Sequence, residues 1–142
     1  MHLLQAMAIS ASGLTAERLR LDIIANNLAN ISTTRTPRGG PYRRQVPVFA
    51  ERLRQELGRP DPNRPPGYGV QVVAIAEDNT PPRLIYDPTH PDADERGYVA
   101  LPNINVVNEM VDMITATRAY EANVTAINAA KAMALKALEI GR

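Results

Sequence analysis

The chain ends with NINVVNEMVDMITATRAYEANVTAINAAKAMALKALEIGR, residues 103–142, and this stretch decides the fold. Mostly apolar residues recur in it at alternating steps of four and three, at Val106, Met110, Met113, Thr117, Tyr120, Val124, Ile127, Lys131, Ala134 and Leu138. This is the spacing of a coiled-coil face. A second stripe follows beside it, formed by Val107, Val111 and Ile114. The pattern predicts one long amphipathic helix that packs against more than one neighbour. It favours a role in assembly over a role in catalysis.

The prolines divide the chain into three segments. All 12 prolines lie between Pro37 and Pro102, and the flanking stretches contain none. Because proline is incompatible with a helix interior, this partition predicts two helical arms, residues 1–32 and 103–142, around a middle segment, residues 33–102. We therefore predict an α+β fold in which the terminal helices pair as a coiled coil around a small β-rich, extended insert.

The N-terminal arm carries apolar residues on one side and a group of asparagines near its end. Gly13 weakens this helix by about 1 kcal/mol relative to alanine, so it marks either a bend or a tight contact. The amides of Asn26, Asn27 and Asn30 could cap exposed carbonyls or bond to a neighbouring chain, and a fraying helix end explains them equally well. In the C-terminal arm, Asn103 or Asn105 suits the N-cap, and Gly141 can end the helix.

The middle segment contains short stretches with β-strand character. Residues 42–50 alternate loosely as a strand that Pro47 confines to a sheet edge. Further strands are predicted at Val70–Ile75, Arg83–Tyr86 and Tyr98–Leu101. The connections are a Gly/Pro turn region at 33–41, a proline-rich loop at 59–69 and an acidic loop at 87–97.

Composition excludes several classes of function. The net charge is +1, from 16 basic and 15 acidic residues, so no global field attracts nucleic acid or an anionic membrane. There is no cysteine, which excludes disulfides and thiolate metal sites. No apolar run is long enough to span a membrane. Residues 3–12 are apolar, but no Lys or Arg precedes them and the amphipathic pattern continues beyond them, so we expect no cleaved signal peptide.

Sites for catalysis, cofactors or metals are not predicted. His90 lies beside Asp92, Asp94 and Glu95, but the calcium-loop pattern is missing and a flexible acidic turn is the favoured interpretation. The chain has no Gly-rich phosphate loop after a strand and no recognisable nucleophile elbow. A basic cluster between Arg35 and Arg44 could contact phosphates, but in a nearly neutral chain a solvated or partner-facing arm is favoured over nucleic-acid binding.

Two motifs at opposite ends of the chain resemble those of a known family. Ser12-Gly13-Leu14, followed by Ala25-Asn26-Asn27-Leu28-Ala29-Asn30, resembles the N-terminal motif of the flagellar axial proteins, the rod, hook and hook-associated subunits. Residues 113–123, MITATRAYEAN, resemble the C-terminal motif of the same superfamily. Residues 33–44 and 86–103, and the overall length, are similar to those of the short rod type.

The resemblance implies a structural subunit of the proximal rod, the drive shaft that crosses the periplasm in the flagellar basal body. Such subunits leave the cell through the flagellar type III export apparatus without signal cleavage. They then assemble helically with copies of themselves and with other rod proteins to transmit motor torque. The resemblance implies no enzyme activity, no cofactor, no nucleic-acid partner and no direct membrane insertion.

Three groups of residues are candidates for assembly contacts. Helix packing is expected from Met7, Leu14, Leu21, Ile24, Leu28, Val106, Met110, Met113, Val124, Ile127 and Leu138. Polar contacts between helices or subunits are expected from Asn26, Asn27, Asn30, Arg118, Tyr120, Glu121 and Asn123. An outer arm within residues 33–50 would use Arg35, Pro37, Tyr42, Arg43, Arg44 and Phe49. Each group has a simpler explanation, in which apolar residues form only the core and Arg118 and Glu121 form only an exposed intrahelical pair.

Two other functions are compatible with parts of the sequence. A soluble coiled-coil oligomer could act as a ligand-binding module, using residues 33–50 or 87–97 to hold its ligand. A metal-dependent enzyme could be centred on His90. The binding module would oligomerise through the two long arms, whereas the enzyme hypothesis does not account for them.

Overall fold

A computed structural model describes residues 2–52 and 68–141 of the chain. Helix α1 spans His2–Ala29 and helix α2 spans Val106–Ile140. Between them lie four strands, β1 (Gln45–Glu51), β2 (Val70–Glu77), β3 (Arg83–Tyr86) and β4 (Tyr98–Leu101). The predicted α+β architecture is therefore confirmed. Most of the predicted loop at 59–69 lies outside the described residues.

The two helices pack side by side in opposite directions. Gly13 of α1 lies against Asn123 of α2, whereas Asn27, later in α1, bonds to Glu109, near the start of α2. The buried side chains between the helices and under the first sheet are few and mostly small, namely Ala16, Ile23, Ile24, Ala116 and Ala130. Small side chains let two helices approach closely, which suits this alanine-rich pair.

The buried face of α2 is displaced from the predicted apolar seam. It passes through Glu109, Ala116 and Ala130, while Val106 and Met110 are exposed. Five seam residues are half-buried beside this face, namely Met113, Tyr120, Val124, Ile127 and Ala134. The close approach at Gly13 selects the smaller side chains for the contact with α1 and leaves larger apolar residues uncovered.

Asparagine side chains or glycine cap both ends of α2 and the C-terminal end of α1. Asn105 Oδ1 accepts from the amides of Val107 and Asn108 at 2.9 and 3.3 Å, which selects Asn105 from the two predicted N-caps. The Gly141 amide donates to the Ala137 carbonyl at 3.2 Å. At the end of α1, Asn30 Nδ2 donates to the Asn26 carbonyl at 2.9 Å, so the capping interpretation of this asparagine holds.

The strands form two separate antiparallel hairpins. Strand β1 pairs with β2, with a bulge where Val48 and Phe49 face Ala74 and Val72. Strand β3 pairs with β4, with Tyr86 opposite Tyr98. The strands β3 and β4 have the bounds predicted from the sequence, and β2 extends two residues beyond its prediction. Since each sheet has two strands within the described residues, Pro47 lies on an edge strand there, as expected.

Candidate assembly surface and its buried anchor

Asn27 is the centre of a buried polar anchor that joins α1, α2 and β1. Its side chain is 1% exposed, and its Nδ2 donates to the Gln45 carbonyl at 2.9 Å and to Glu109 Oε2 at 3.2 Å. Its Oδ1 accepts from the Gln45 amide at 2.9 Å and from the Tyr42 hydroxyl at 3.0 Å. Both amide hydrogens and both acceptor positions are therefore used, which is the full capacity of an asparagine.

Glu109 connects this anchor to an ion-pair network. Its side chain is 1% exposed, and Oε1 accepts a short hydrogen bond from Arg44 Nε while Oε2 is held by Asn27. Arg44 also reaches Asp112 at 3.4 Å, and Arg20 of α1 lies 3.7 Å from the same carboxylate. A buried carboxylate needs such partners because an unpaired buried charge is strongly destabilising.

Tyr42 closes the anchor on the side of the extended segment. Its hydroxyl donates to Asn27 and accepts from Asn26 Nδ2 at 3.4 Å. Burial raises the pKa of the Tyr42 hydroxyl, and the nearby carboxylates of Glu109 and Glu77 raise it further. The Tyr42 hydroxyl therefore keeps its proton to a higher pH than an exposed tyrosine would, and this proton is the one that Asn27 Oδ1 accepts.

Ser12 and Gly69 attach the other end of the hairpin to α1. The Ser12 hydroxyl donates to the Ile9 carbonyl at 2.6 Å and accepts from the Val70 amide at 3.1 Å. Gly69 has a φ of 110°, and a Cβ there would overlap the Ser12 hydroxyl and lie 3.0 Å from its Cβ. Only glycine fits this position, because both the backbone conformation and the space exclude a side chain.

The spacing of Ser12 and Asn27 along α1 matches the length of the hairpin. They are 15 residues apart, which in a helix corresponds to about 22 Å. Strand β1 advances about 20 Å from Gln45, held by Asn27, to Glu51, which pairs with Val70. The N-terminal motif thus contributes two hydrogen-bonding side chains that fix the hairpin along α1, and Gly13 between them faces α2.

The surface of α2 near its start is apolar and uncovered. Val106, Val107, Met110, Val111 and Ile114 are between 43% and 67% exposed. They adjoin one another over about two helical turns, and we call them the apolar face of α2. A contiguous exposed apolar patch on a protein surface marks an interaction site.

The residues predicted for helix packing fall into two groups. Ile24 is buried and Met7, Leu14, Leu21, Leu28, Met113, Val124 and Ile127 are half-buried. Val106, Met110 and Leu138 are exposed. In the isolated chain the first group packs within the fold, whereas the second remains available to other chains.

The residues predicted for polar contacts also differ from one another in burial and in hydrogen bonding. Asn27 bonds across the helix pair, and Asn123 lies against Gly13 while its Nδ2 donates to the Ala119 carbonyl at 2.9 Å. Arg118 and Glu121 are exposed, and no ion pair joins them in the described part of the chain. Tyr120 is half-buried. Asn26 and Asn30 bond to each other at 2.9 Å near the end of α1.

The predicted outer arm is only partly directed outward. Arg35, Pro37 and Arg43 are exposed, and Phe49 is 38% exposed. Arg43 bonds to Asn79 Oδ1 at 3.2 Å. Tyr42 and Arg44, in contrast, extend inward to the buried anchor.

Sequence reasoning missed Glu109, Ser12 and Gly69 as contact residues. An acidic residue in the first turn of a helix is explained by the helix dipole alone, so nothing local marked Glu109 as buried.

The polar side chains of the acidic loop around His90 accept hydrogen bonds from nearby backbone amides and from Thr34. His90 Nδ1 accepts from the Asp92 amide at 3.1 Å, and Asp92 Oδ2 accepts from Thr34 Oγ1 at 2.8 Å. Asp94 Oδ1 accepts from the amides of Arg96 and Tyr98. Among the described residues, no group of three or more His, Cys, Asp or Glu side chains is placed to hold a metal ion.

Neither helix, as far as it is described, combines the length and hydrophobicity needed to cross a membrane.

Comparison with known protein families gives matches at both ends of the chain. Residues 7–35 match the family described as "Flagella basal body rod protein", and residues 95–140 match the C-terminal family of the "Flagellar basal body rod FlgEFG protein". The first match contains Ser12, Gly13 and Asn27, and the second contains Glu109 and the apolar face of α2. The two matched regions therefore include Asn27 and Glu109, whereas their partners Tyr42, Arg44 and Gln45 lie between the matched regions.

Curated relatives match over nearly their whole length. The flagellar basal-body rod protein FlgC of Borreliella burgdorferi is 51% identical, over 99% of this chain and 98% of the relative. The FlgC proteins of Bacillus subtilis and of Escherichia coli O6:H1 are 44% and 41% identical, over at least 96% of both chains.

Proposed function

This chain belongs to the FlgC family of flagellar basal-body rod proteins, and we propose that it builds the proximal rod by helical assembly with itself and other rod proteins. As a member of this family it is a structural subunit of the basal-body rod. Its position in the rod, its helical assembly and its transmission of motor torque are our proposals. We further propose that it acts without catalytic turnover.

The observation that carries the proposal is the uncovered apolar face of α2. Five adjoining apolar side chains on one helix remain in contact with water in the isolated chain. Covering them would contribute about 25 cal/mol for each Å² of apolar area removed from water. A tube in which each subunit is surrounded by others provides such cover, and contacts repeated by a screw operation need no closed ring.

A shaft that transmits torque also needs parts that do not slip against one another. Helix α2 alone, with 35 residues, is about 52 Å long. The buried anchor fixes the extended segment and the first hairpin to the helix pair through Asn27, Glu109 and Arg44. A load on the hairpin would therefore be passed to both helices through hydrogen bonds that are shielded from water.

We also propose that the chain is exported through the flagellar type III apparatus without a cleaved signal peptide, and that it functions in the rod where this crosses the periplasm. The helix pair supports this proposal, because it buries few large side chains between its helices. Helices with little burial of their own depend on tertiary neighbours for stability and unfold readily. Such a chain is suited to passage through a narrow channel before assembly.

The test is a clean deletion in the bacterium that carries this chain, complemented with the wild-type sequence. Hooks and external filaments are counted by electron microscopy, and swimming is scored in soft agar. We expect deleted cells to lack hooks and filaments and complemented cells to swim. Normal flagella in the deleted cells would overturn the assignment to the rod.

A further inference from the structure

Four residues of α2, each seven positions after the last, line its contact with α1, and we call them the contact row. They are Glu109, Ala116, Asn123 and Ala130. On α1, Gly13 faces Asn123 and Asn27 faces Glu109, so these two residues are also separated by a whole number of seven-residue steps. The two helices therefore meet in layers that are about 10 Å apart along the helix axis.

The packing of the contact row does not by itself select one register. A shift of α2 by seven residues would place Gly13 opposite Ala116 or Ala130 instead of Asn123. Both alanines are smaller than the asparagine that now fills the space beside Gly13, so either would fit there. The first hairpin does not prevent the shift, because it packs on α1, and neither of its strands packs against α2 within the described residues.

The hydrogen bond between Asn27 and Glu109, in contrast, exists in only one register. A shift in one direction would place Asn27 opposite Ala116. A shift in the other direction would place Asn27 opposite residue 102, which precedes α2, and Glu109 opposite Arg20. Either shift separates Glu109 from Asn27 and from Arg44, because the neighbouring Gln45 backbone is bonded to Asn27 and keeps Arg44 beside α1.

The burial of Glu109 makes this difference between registers large. Its side chain is 1% exposed, so the loss of Asn27 and Arg44 would leave a carboxylate in a dry site without its donors. Asp112 discriminates less between registers, since its side chain is 41% exposed and its ion pairs with Arg44 and Arg20 are long, at 3.4 and 3.7 Å.

We propose that the bond between Asn27 and Glu109 fixes the register of α1 against α2, whereas the contact row supplies close packing without selecting a register. A single buried polar contact between packed helices is known to specify register in this way. The inference concerns the fold of one chain and does not depend on the proposed rod function. If that function holds, a fixed register gives every subunit of the rod the same overlap of its two helices.

Disulfides within one chain report the register, because the natural chain has no cysteine. Gly13→Cys with Asn123→Cys reports the observed register, and Gly13→Cys with Ala116→Cys or with Ala130→Cys reports the two shifts. The two shift reporters also carry Asn123→Ala, so that all three lack the fit between Gly13 and Asn123. A disulfide forms only when the Cα atoms are within about 7 Å, whereas each shift displaces α2 by about 10 Å.

Each reporter is made with Glu109 unchanged, with Glu109→Leu and with Glu109→Gln as the matched control. Both substitutions remove the charge that Arg44 pairs with, but Glu109→Gln keeps an acceptor for Asn27 Nδ2 and Glu109→Leu does not. The purified full-length chains are oxidised at low concentration. The fraction of each chain that carries the disulfide within the chain is measured by peptide mass spectrometry.

We expect the disulfide of the observed register to exceed each shifted one by at least about tenfold with Glu109 or Glu109→Gln, and by less than about threefold with Glu109→Leu. A tenfold preference that persists in Glu109→Leu would overturn the proposal and assign the register to the buried Pro102 and Ile104, which precede α2. An equal loss of preference in Glu109→Gln would overturn it in favour of the ion pair with Arg44.

Helix content is measured on the same chains by far-UV circular dichroism. Loss of the helical signal in Glu109→Leu would also overturn the proposal, because the contact row would then be unable to pair the helices alone. Absence of the observed-register disulfide from the chains with Glu109 unchanged would refute the register itself. None of these outcomes bears on the rod assignment, since the cross-links form within one purified chain and assembly is not measured.

Discussion

Asn27→Asp is the substitution that most sharply tests the buried anchor. It changes one NH₂ group to oxygen, so the carbonyl of Gln45 and Glu109 Oε2 both lose their donor. A buried acceptor left unsatisfied costs about 1–3 kcal/mol, which gives about 2–6 kcal/mol for the two. The introduced carboxylate also lies about 3 Å from that of Glu109, which adds repulsion. We expect a loss of about 4 kcal/mol at pH 7, against a total stability of about 5–15 kcal/mol.

Asn26→Asp is the matched control, since it makes the same change of atoms and charge one residue away. Asn26 is exposed, and the bond that its Nδ2 donates to Tyr42 is long, at 3.4 Å. A negative charge near the end of α1 is unfavourable by about 0.3–1 kcal/mol. The assay is urea unfolding of the purified chains, followed by far-UV circular dichroism, with the free energies of unfolding compared.

The pH dependence of Asn27→Asp has a definite sign. Burial and the neighbouring Glu109 raise the pKa of the introduced carboxyl in the folded state above its unfolded value of about 3.9. The unfolded chain then releases this proton first, so the variant loses stability as the pH rises from about 4. We expect a smaller penalty, relative to Asn26→Asp, at pH 4.5 than at pH 7. Equal unfolding free energies for the two variants at pH 7 would refute the role of Asn27.

Three further predictions concern the contacts around the anchor. Gly13→Ala should cost about 1 kcal/mol of stability, because its Cβ would lie 2.9 Å from Asn123 Nδ2. In an Asn123→Ala background the same change should be stabilising, because only the gain in helix propensity remains. Urea unfolding of the wild type, the two single variants and the double variant measures this coupling. Gly69→Ala should cost at least about 2 kcal/mol of stability. Adding Ser12→Ala should restore only part of this loss, because the strained φ of 110° persists. Thermal unfolding measures both variants, and complete recovery in the double variant would contradict the prediction. Tyr42→Phe should cost about 1 kcal/mol of stability at pH 7. Because the pKa of the Tyr42 hydroxyl is raised in the folded state, the unfolded chain ionises first, and the variant should lose less stability above pH 10 than the wild type does. Equal slopes of unfolding free energy against pH between pH 9 and 11 would contradict this prediction.

The elements of the fold could be predicted from local sequence, because the information that specifies them is local. The distribution of prolines separated the helices from the middle segment, and residues 83–86 and 98–101 had strand character bounded by turn residues. Asn105 and Gly141 act at the helix ends as their residue types indicate. These features depend on backbone preferences within a few residues, which a single sequence records.

The buried anchor could not be predicted in the same way. Glu109 and Arg44 are 65 residues apart, and Asn27 and Glu109 are 82 apart, so their contacts exist only after the helices pair. Periodicity likewise identified α2 as a packing helix but favoured the larger apolar residues for its seam. The observed pairing buries Ala116 instead, because the fit to Gly13 and its neighbours depends on the shape of the second helix.

The most direct test of the central claim is the number of hook-basal bodies in cells whose only copy carries Val111→Asp. Val111 is 56% exposed on the apolar face of α2, so the charge should leave the isolated chain folded while preventing burial against a neighbour. Val111→Ile keeps the site apolar and serves as the control. The account predicts almost no hook-basal bodies with Val111→Asp and normal numbers with Val111→Ile, although both purified chains unfold at similar urea concentrations. Normal hook-basal bodies in the Val111→Asp cells would contradict the claim that this face is buried in the rod.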